Sequence, residues 1–600
     1  MSYATQTIQE APISRPLPIL GQPAVDALLE SERARLLAEA GLGRAPRHFR
    51  RPTERAFTRS EREKTTIWFG GLTFRHEELI KAGLEGLGYK VGVVPTPSKA
   101  DFQAGKEYGN NGQCNPTYFT VGALVNLLKK MRDEDHLPVE RILDEHVFIT
   151  AGACGPCRFG MYEAEYRLAL RNSGFDGFRV LLFQQGGGLD QSAAEAGLEL
   201  NLNFFLSLLN AMFLGDLLNE VAYQIRPYEV VPGRTDEVFK KCLNLCQNAL
   251  RQKDYNAVHN GALARLLSKV APVKGPTEAA KFLDQLRGTH YTDVLAECRR
   301  MINEEIEVDY TRPKPIVKVT GEFWAQTTEG DGNFRMFPFL EGEGAEVLVE
   351  PVATWIAYML HQAEKAARDR KGLDKSAPGD ADETRDESPR PRWNLGRRWQ
   401  EEKAYRKKLF TFALANKILT REYERLRLAL GGTAHVLADQ HELTRVGHPY
   451  YNSRAGGGEG HLEVAKNIYY TNKGLAHMVL SLKPFGCMPS TQSDGAQAAV
   501  VSHYKDMIYI PIETSGEGDI NAYSRVQMAL GEAKNKCKEE FARTVESTGR
   551  TLDQIRAFVG RPENRDLRRP LQHLTHRKGI VGKAANFVLD VADRMKKAGA

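Results

Sequence analysis

Four of the eight cysteines stand in turns that contain glycine or proline, where a thiol can reach a ligand. These are Cys114, Cys154, Cys157 and Cys487, and the middle two form a C-G-P-C motif. Cysteine thiolates are the usual ligands of structural zinc and of iron–sulfur clusters. Four thiolates from separated turns therefore predict a [4Fe-4S] cluster or a zinc site. The C-G-P-C pair by itself predicts a redox-active dithiol.

The spread of these cysteines along the chain favours the cluster. Structural zinc usually draws its ligands from two close pairs, whereas here one pair is joined by two distant single cysteines. The C-G-P-C motif is that of thioredoxin, but Ala153 stands where thioredoxins carry tryptophan, and dithiol chemistry leaves Cys114 and Cys487 without a role. We rank an iron–sulfur protein first, a thiol–disulfide oxidoreductase second and a zinc-stabilised assembly protein third.

A predicted βαβ unit over residues 146–185 positions the cysteine pair. The apolar run Val147–Thr150 is typical of a buried strand, and a second strand is predicted over residues 178–183. The helix between them is expected to turn four charged side chains to solvent: Arg158, Glu163, Glu165 and Arg167. In open α/β sheets the loop after a strand faces the crevice where ligands bind. The pair is therefore expected at such a crevice.

The two single cysteines are expected on other loops of the same cleft. Cys114 ends a glycine- and asparagine-rich stretch, GKEYGNNGQ, which predicts a loop over residues 105–113, and a helix is predicted over residues 117–131. A thiol at a helix N-terminus is expected to ionise more easily. Cys487 follows a predicted strand at residues 478–482 of a second α/β domain. The site is therefore predicted between two domains.

Six hundred residues are too many for one core, so several domains are expected. We predict an α/β fold with two Rossmann-like parallel-sheet domains, helical insertions and a [4Fe-4S] cluster in the inter-domain cleft. The predicted parts are an N-terminal arm (1–64), the first Rossmann-like domain (65–197), a helical region (198–312), the second Rossmann-like domain (313–362 and 455–536), a charged loop with a helical insertion (363–454), and a basic helical tail (537–600). The remaining cysteines, 242, 246, 298 and 537, are predicted to pack in cores as small hydrophobic residues.

The composition is that of an ordinary soluble protein, with 42% hydrophobic and 26% charged residues. No run reaches the roughly 18 to 20 apolar residues of a membrane span, and the N-terminus does not resemble a secretory signal. A cytoplasmic location is predicted. The net charge of +6 is small for this length, so nucleic-acid binding is not expected. The G-x-x-x-x-G-K-[ST] motif of a P-loop nucleotide site is absent.

Further side chains are candidates for roles near the cleft. Arg158, beside Cys157, is expected to raise the potential of the cluster or to bind an anionic substrate group, and a surface salt bridge is the alternative. His461 and Glu463 follow a glycine-rich loop and are candidates for a general acid and a general base near the cleft, although a structural role is commoner for a single histidine. Glu513 and Arg525 are candidate cleft residues, which we group with Arg158 and His461 as candidate catalytic residues.

Four motifs, taken together, resemble those of a known family. They are GNNGQCNPTYFTVG, GACGPCRFGMYEAEY, KPFGCMPS and IETSGEGDINAYSRVQMAL. The chain resembles the activase-related proteins of the 2-hydroxyacyl-CoA dehydratase system, also called the CoA-substrate-specific enzyme activase family. That family is similar to the iron–sulfur subunits of 2-hydroxyacyl-CoA dehydratases and benzoyl-CoA reductases. The resemblance covers residues from about 65 to 536.

The resemblance implies ATP-driven electron transfer. A separate ATPase of the actin and sugar-kinase superfamily would pass a low-potential electron to a [4Fe-4S] cluster. By motif, the cluster ligands would be Cys114, Cys154, Cys157 and Cys487. The substrate would be a CoA thioester or another small molecule, and both homo- and hetero-oligomers are compatible. Because this chain carries no phosphate motif of such an ATPase, the ATPase is expected as a partner. The N-terminal arm and the basic tail lie outside the resemblance.

Overall fold

A computed structural model describes residues 22–39, 54–152, 157–184, 188–189, 196–258, 261–270, 275–371 and 395–599. The chain divides into two compact units, residues 1–53 and 54–600. In the first unit the described part is one helix, α1 (Gln22–Glu39). The other elements given below belong to the second unit.

The second unit contains two parallel sheets. Their strands are β1 (Thr66–Phe69), β2 (Lys90–Val93), β3 (His146–Gly152), β4 (Arg179–Gln184), β5 (Gly188–Leu189), β6 (Ile316–Gly321), β7 (Glu346–Leu348), β8 (Met478–Pro484) and β9 (Tyr509–Thr514). The first sheet has the order β2-β1-β3-β4, with the short β5 paired antiparallel to β4, and the second has the order β7-β6-β8-β9. The predicted α/β class with two parallel sheets is confirmed.

Helices connect and cover both sheets. They are α2 (Phe74–Gly86), α3 (Lys99–Tyr108), α4 (Asn115–Asp133), α5 (Val139–Glu145), α6 (Tyr162–Asn172), α7 (Leu202–Ile225), α8 (Arg234–Gln252), α9 (Ala262–Val270), α10 (Pro276–Arg287), α11 (His290–Glu305), α12 (Phe323–Thr327), α13 (Met336–Gly342), α14 (Val352–Asp369), α15 (Leu395–Leu430), α16 (Gln440–Gly447), α17 (Gly460–Asn472), α18 (Met488–His503), α19 (Asp519–Ser547), α20 (Leu552–Val559) and α21 (Lys583–Lys597).

The central strands of the second sheet are buried along their whole length. Every residue of β6 and of β8 is buried, which is the pattern of a parallel sheet with both faces covered. Parallel pairing aligns Val317 with Met478 and Gly321 with Leu482. The strands therefore end side by side, and their following loops start from one edge of the sheet.

The loop predicted over residues 105–113 is partly wrong, because α3 continues to Tyr108. The Asp101 carboxylate accepts hydrogen bonds from the Ser98 backbone and hydroxyl, at 2.7 and 2.8 Å, and so stabilises the helix start. A Cβ added to Gly105 would lie 1.9 Å from the Tyr118 carbonyl oxygen of α4. The glycine allows two helices to pack closely, a role that its local sequence does not distinguish from that of a loop residue.

The region predicted to be helical, residues 198–312, contains α7 to α11. By length and composition, the stretch Leu202–Tyr228 is apolar enough to cross a membrane, but 78% of its apolar window is buried within the protein, as in a core helix. The prediction of core cysteines is confirmed, since Cys242, Cys246 and Cys298 are 0% exposed and Cys537 is 2% exposed.

The described parts of the charged insertion and of the tail are mainly helical. α14 ends at Asp369 and α15 begins at Leu395, so most of the predicted charged loop, residues 372–394, lies outside the described residues. α19 continues through the boundary predicted at residue 536. The tail then forms α20 and α21, in agreement with its predicted helical character.

Candidate functional site

The loops that follow the strands of the two sheets contact one another. The Asn115 amide at the start of α4 donates to the Phe485 carbonyl oxygen after β8, at 3.0 Å, and its side-chain amide donates to the Thr514 carbonyl oxygen, at 2.6 Å. Gly71, in the loop after β1 of the first sheet, lies against the loop after β6 of the second sheet. A Cβ on Gly71 would be 3.7 Å from the ring of Trp324. The carboxyl edges of both sheets therefore meet at one cleft.

Cys114 and Cys487 occupy equivalent positions on the two sides of this cleft. Each is the N-cap residue of its helix, α4 or α18, and each is followed two residues later by a proline in the first turn. Gly486 has φ +77°, and its Cβ would lie 3.2 Å from the Cys114 Cα. The predicted convergence of these cysteines from different sheets is therefore seen in the structure.

Cys157 lies at the same cleft. It precedes a short 3₁₀ turn, Arg158–Met161, and is half-buried. Gly458 of the glycine-rich loop before α17 covers it: a Cβ on Gly458 would be 3.5 Å from the Cys157 Cβ and 2.5 Å from Pro489 of α18. One loop of the second sheet thus links Cys157 to the helix that Cys487 begins. The fourth predicted ligand, Cys154, lies outside the described residues.

The expectation that Cys114 ionises easily is wrong for the protein without a bound cation. Burial raises the pKa of the Cys114 thiol, although hydroxyl groups of Thr117 and Tyr162 lie 3.2 and 3.1 Å from its sulfur. Burial and the nearby Glu459 raise the pKa of Cys157 to about 12, and burial raises that of Cys487. Removal from water outweighs the effect of the helix N-terminus. A thiolate at these positions therefore needs a compensating positive charge.

Two acidic side chains that the sequence analysis did not select lie near the thiols. Glu322 directly follows β6, and Glu459 follows Gly458. Burial raises the pKa of Glu322 to about 7 and that of Glu459 to about 8. Trp355 donates its indole N–H to Glu459 at 3.0 Å. Two sequence features could have identified them: Glu322 lies just after a predicted strand, and Glu459 lies in a predicted glycine-rich loop.

Glu165 anchors the loop that leads to Cys114. Its carboxylate accepts hydrogen bonds from the Asn110 backbone and side chain, at 3.1 and 2.9 Å, and from the Gln113 amide, at 3.0 Å. The prediction that Glu163 and Glu165 face solvent is wrong, since they are 6% and 3% exposed. The polar loop before Cys114, rather than water, supplies the hydrogen bonds that the Glu165 carboxylate needs.

Arg158 also positions this loop. Its guanidinium donates to the Gly112 carbonyl oxygen at 2.6 Å, and so connects the turn after Cys157 to the turn before Cys114. The predicted proximity of Arg158 to the cysteine sites is therefore observed. Its predicted effect on a cluster potential or on a substrate stays a prediction.

His461 and Glu463 point to different surroundings because they lie two residues apart, about 200° around α17. Glu463 accepts hydrogen bonds from Ser490 and Ser493 of α18, at 2.7 and 2.5 Å, and lies 3.4 Å from the Lys483 Nζ atom. His461 instead lies beside Gly447 of α16. The two side chains therefore do not contact each other, and their role as a general acid and base stays a prediction.

His461 is buried, and both its candidate catalytic role and the structural alternative stay predictions. The side chain is 2% exposed, and within the described residues neither ring nitrogen has a hydrogen-bond partner. Burial, together with the nearby Lys365 and His361, lowers the pKa of His461 to about 4. The ring is therefore neutral near pH 7.

Glu513 and Arg525 lie at the outer strand of the second sheet. Glu513 is exposed near the end of β9, and Arg525 is exposed on α19, where it donates to the Pro511 carbonyl oxygen at 2.9 Å. In the described part of the chain, no hydrogen bond or ion pair connects either side chain to the three cysteines. Their candidate role as cleft residues stays a prediction.

The donor set can be compared with the two metal centres considered. Among the described residues, no group of three or more His, Cys, Asp or Glu side chains stands close enough to hold a single metal ion. Cys154, the fourth thiol of the predicted set, lies outside the described residues, so this result covers three of the four predicted ligands. The [4Fe-4S] cluster and the zinc site both stay predictions.

Comparisons with known proteins add no relative. No protein-family model matches this sequence, and no curated protein is significantly similar to it. The resemblance to activase-related proteins therefore stays a prediction based on the four motifs.

Proposed function

We propose that this protein is an iron–sulfur electron-transfer protein, with a [4Fe-4S] cluster bound between two Rossmann-like domains. The observation that carries the proposal is the arrangement of Cys114, Cys157 and Cys487, which come from distant parts of the sequence to one cleft. Cys154, by its motif, is the fourth ligand in this proposal.

The electrostatics of the cleft support a positively charged ligand. The three thiols are buried or half-buried. The nearby Glu322 disfavours the ionisation of all three further, and Glu459 that of Cys157. A bound metal ion reverses this preference because a coordinating thiol loses its proton. The residues of the cleft therefore fit a centre made of iron ions better than they fit a free dithiol, whose reactivity depends on a lowered pKa.

The described residues have defined tasks in this proposal. Cys114, Cys157 and Cys487 bind the centre, and Arg158 and Glu165 hold the turns from which two of these thiols project. Gly458 and Gly486 allow the second sheet to approach the cysteines of the first. When bound, the cluster supplies one-electron reducing power at low potential.

The partner and the substrate follow from the resemblance. An ATPase of the actin and sugar-kinase superfamily delivers the electron, and the reaction served is a reduction or a radical dehydration of a small molecule, with a CoA thioester as the first candidate. The N-terminal arm and the basic tail have no assigned role in this proposal.

Anaerobic purification followed by absorption spectroscopy and iron and sulfide analysis tests the proposal. We expect a broad band near ~400 nm and about four irons per chain. Both should be lost in Cys487→Ala and retained in Cys537→Ala, which removes a buried thiol in α19. A colourless, iron-free protein with a reducible disulfide between Cys154 and Cys157 would overturn the proposal in favour of a thiol–disulfide oxidoreductase. Stoichiometric zinc would support the assembly protein instead.

A further inference from the structure

We propose that Glu322 lowers the reduction potential of the metal centre, by holding a carboxylate charge at the edge of the second sheet where Cys487 also lies. This inference rests on the proposed function, because it requires a cluster in the cleft.

Glu322 stands where an open α/β sheet binds its ligand. It directly follows β6, and its backbone N–H donates to the Leu482 carbonyl oxygen of β8 at 3.0 Å. In the order β7-β6-β8-β9, the connection after β6 runs to β7 on one side, and the connection after β8 runs to β9 on the other side. The crevice outside the ends of two such strands is the usual ligand position. Glu322 follows one of these two strands, β6, and the turn that carries Cys487 follows the other, β8. The two therefore lie on opposite sides of this crevice.

The turn that contains Glu322 also packs on the first sheet's side of the cleft. The ring of Trp324 lies 5.5 Å, centroid to centroid, from the ring of Phe119, a residue of the helix that Cys114 begins. Gly71, in the loop after β1, lies against the same tryptophan. These contacts hold Glu322 between the loops of both sheets.

Glu322 lies close enough to affect all three described cysteines. Burial is the main cause of the raised pKa of Cys114, of Cys157 and of Cys487, and the nearby Glu322 raises each of these pKa values further. Each of the other acidic side chains in the cleft affects only some of these thiols in the same way. Glu322 is therefore the carboxylate common to all three ligands.

The Glu322 charge also has no counter-ion. Its carboxylate accepts from the Ala325 N–H at 2.9 Å, and in the part of the chain that the structure describes no Lys, Arg or His forms an ion pair with it. Glu463, by contrast, lies 3.4 Å from the Lys483 ammonium. In a partly desolvated cleft an unpaired charge is poorly screened. A negative charge there disfavours the addition of an electron, and so lowers the potential.

A redox titration of the full-length, cluster-loaded protein tests the inference. Dithionite or titanium(III) serves as reductant, and the midpoint potential is read from visible absorption and electron paramagnetic resonance. The buffer is alkaline, so that Glu322 is ionised. We expect Glu322→Gln, which keeps the oxygen that caps α12, to shift the midpoint to a more positive potential at unchanged iron content. Glu322→Asp, which keeps the charge, should stay near the wild-type potential.

Glu517→Gln is the matched control, because this carboxylate lies exposed on the loop after β9 and water screens its charge. An unchanged potential in Glu322→Gln with a full cluster would overturn this inference and leave the proposed function standing. Loss of the cluster from Glu322→Gln alone would also overturn it, in favour of a structural role. A wild-type protein that binds no cluster would overturn the proposed function itself.

Discussion

Gly486 and Cys114 touch through their backbones. A Cβ on Gly486 would stand 3.2 Å from the Cys114 Cα and 3.0 Å from the Gln113 carbonyl oxygen, and Gly486 itself has φ +77°. This contact joins the turn before Cys487, on one sheet, to the turn that contains Cys114, on the other. The distance between the two proposed ligands, Cys114 and Cys487, therefore depends on the absence of a side chain at Gly486.

Gly486→Ala should weaken both the fold and the metal centre. A left-handed conformation costs a residue with a side chain about 1–2 kcal/mol, and the new methyl group would push the two turns apart. We expect a lower free energy of unfolding in urea and less iron per chain. Gly495→Ala is the control: Gly495 lies exposed in α18 with open space around it, so alanine should be neutral or stabilise the helix by about 0.5–1 kcal/mol. Equal iron content in both variants would contradict the prediction.

Glu165→Ala should loosen the loop that leads to Cys114. The change leaves the buried side-chain amide of Gln113 without its acceptor, which costs about 1–3 kcal/mol, and also removes the acceptor of the exposed Asn110. Without metal, alkylation of Cys114 by iodoacetamide, followed by mass spectrometry, should be faster than in the wild type. Glu107→Ala, at an exposed position of α3, should leave the rate unchanged. Equal rates in all three proteins would show that Glu165 does not hold the loop.

Glu350→Gln should be more destabilising than Lys318→Met. The Glu350 carboxylate lies 2.7 Å from the Lys318 ammonium and 3.7 Å from that of Lys466, and all three side chains are buried. Removal of the carboxylate charge leaves two buried ammonium groups without a counter-ion, which costs roughly 3–5 kcal/mol. In Lys318→Met, the pair of Glu350 and Lys466 remains. Unfolding in urea measures the free energy of unfolding of both variants. A smaller loss of stability in Glu350→Gln than in Lys318→Met would contradict the prediction.

Glu77 should make the stability of the metal-free protein fall as the pH rises. Burial raises the pKa of its carboxyl from 4.5 to about 8. Between these values the folded protein keeps a proton that the unfolded chain has released, so the free energy of unfolding declines with pH, by at most about 1.4 kcal/mol per pH unit. Glu77→Gln keeps an oxygen for the Gly71 and Leu72 amides but cannot ionise.

Urea unfolding at a series of pH values tests this. The free energy of unfolding should decline less with rising pH in Glu77→Gln than in the wild type. Glu63→Gln removes an exposed carboxylate and should keep the wild-type dependence on pH. Parallel curves for the wild type and Glu77→Gln would show that the Glu77 carboxyl is ionised throughout the window.

Local sequence was enough to predict the elements that carry the cysteines. β3 and β8 are apolar runs, and such runs form buried strands wherever a sheet can cover them. The Cys-x-Pro sequence at Cys114 predicts a helix start because proline suits the first helical turn, and α4 begins there. The helix that begins after Cys487, α18, was not predicted. Cys242 and Cys246 alternate with leucines on one helix, a pattern that indicates a core, and both are buried.

The tertiary structure alone decided the environment of the charged and titratable groups. Glu165 reads as a surface residue of a helix, but a loop more than fifty residues away in sequence supplies its hydrogen bonds. His461 and Glu463 are neighbours in sequence, yet the packing of α17 between different helices separates their surroundings. Burial, which raises the pKa of the thiols and of Glu322, depends on distant segments that pack together. A propensity for strand or helix acts over a few residues, whereas desolvation and charge act through space, and only the folded chain determines which groups they affect.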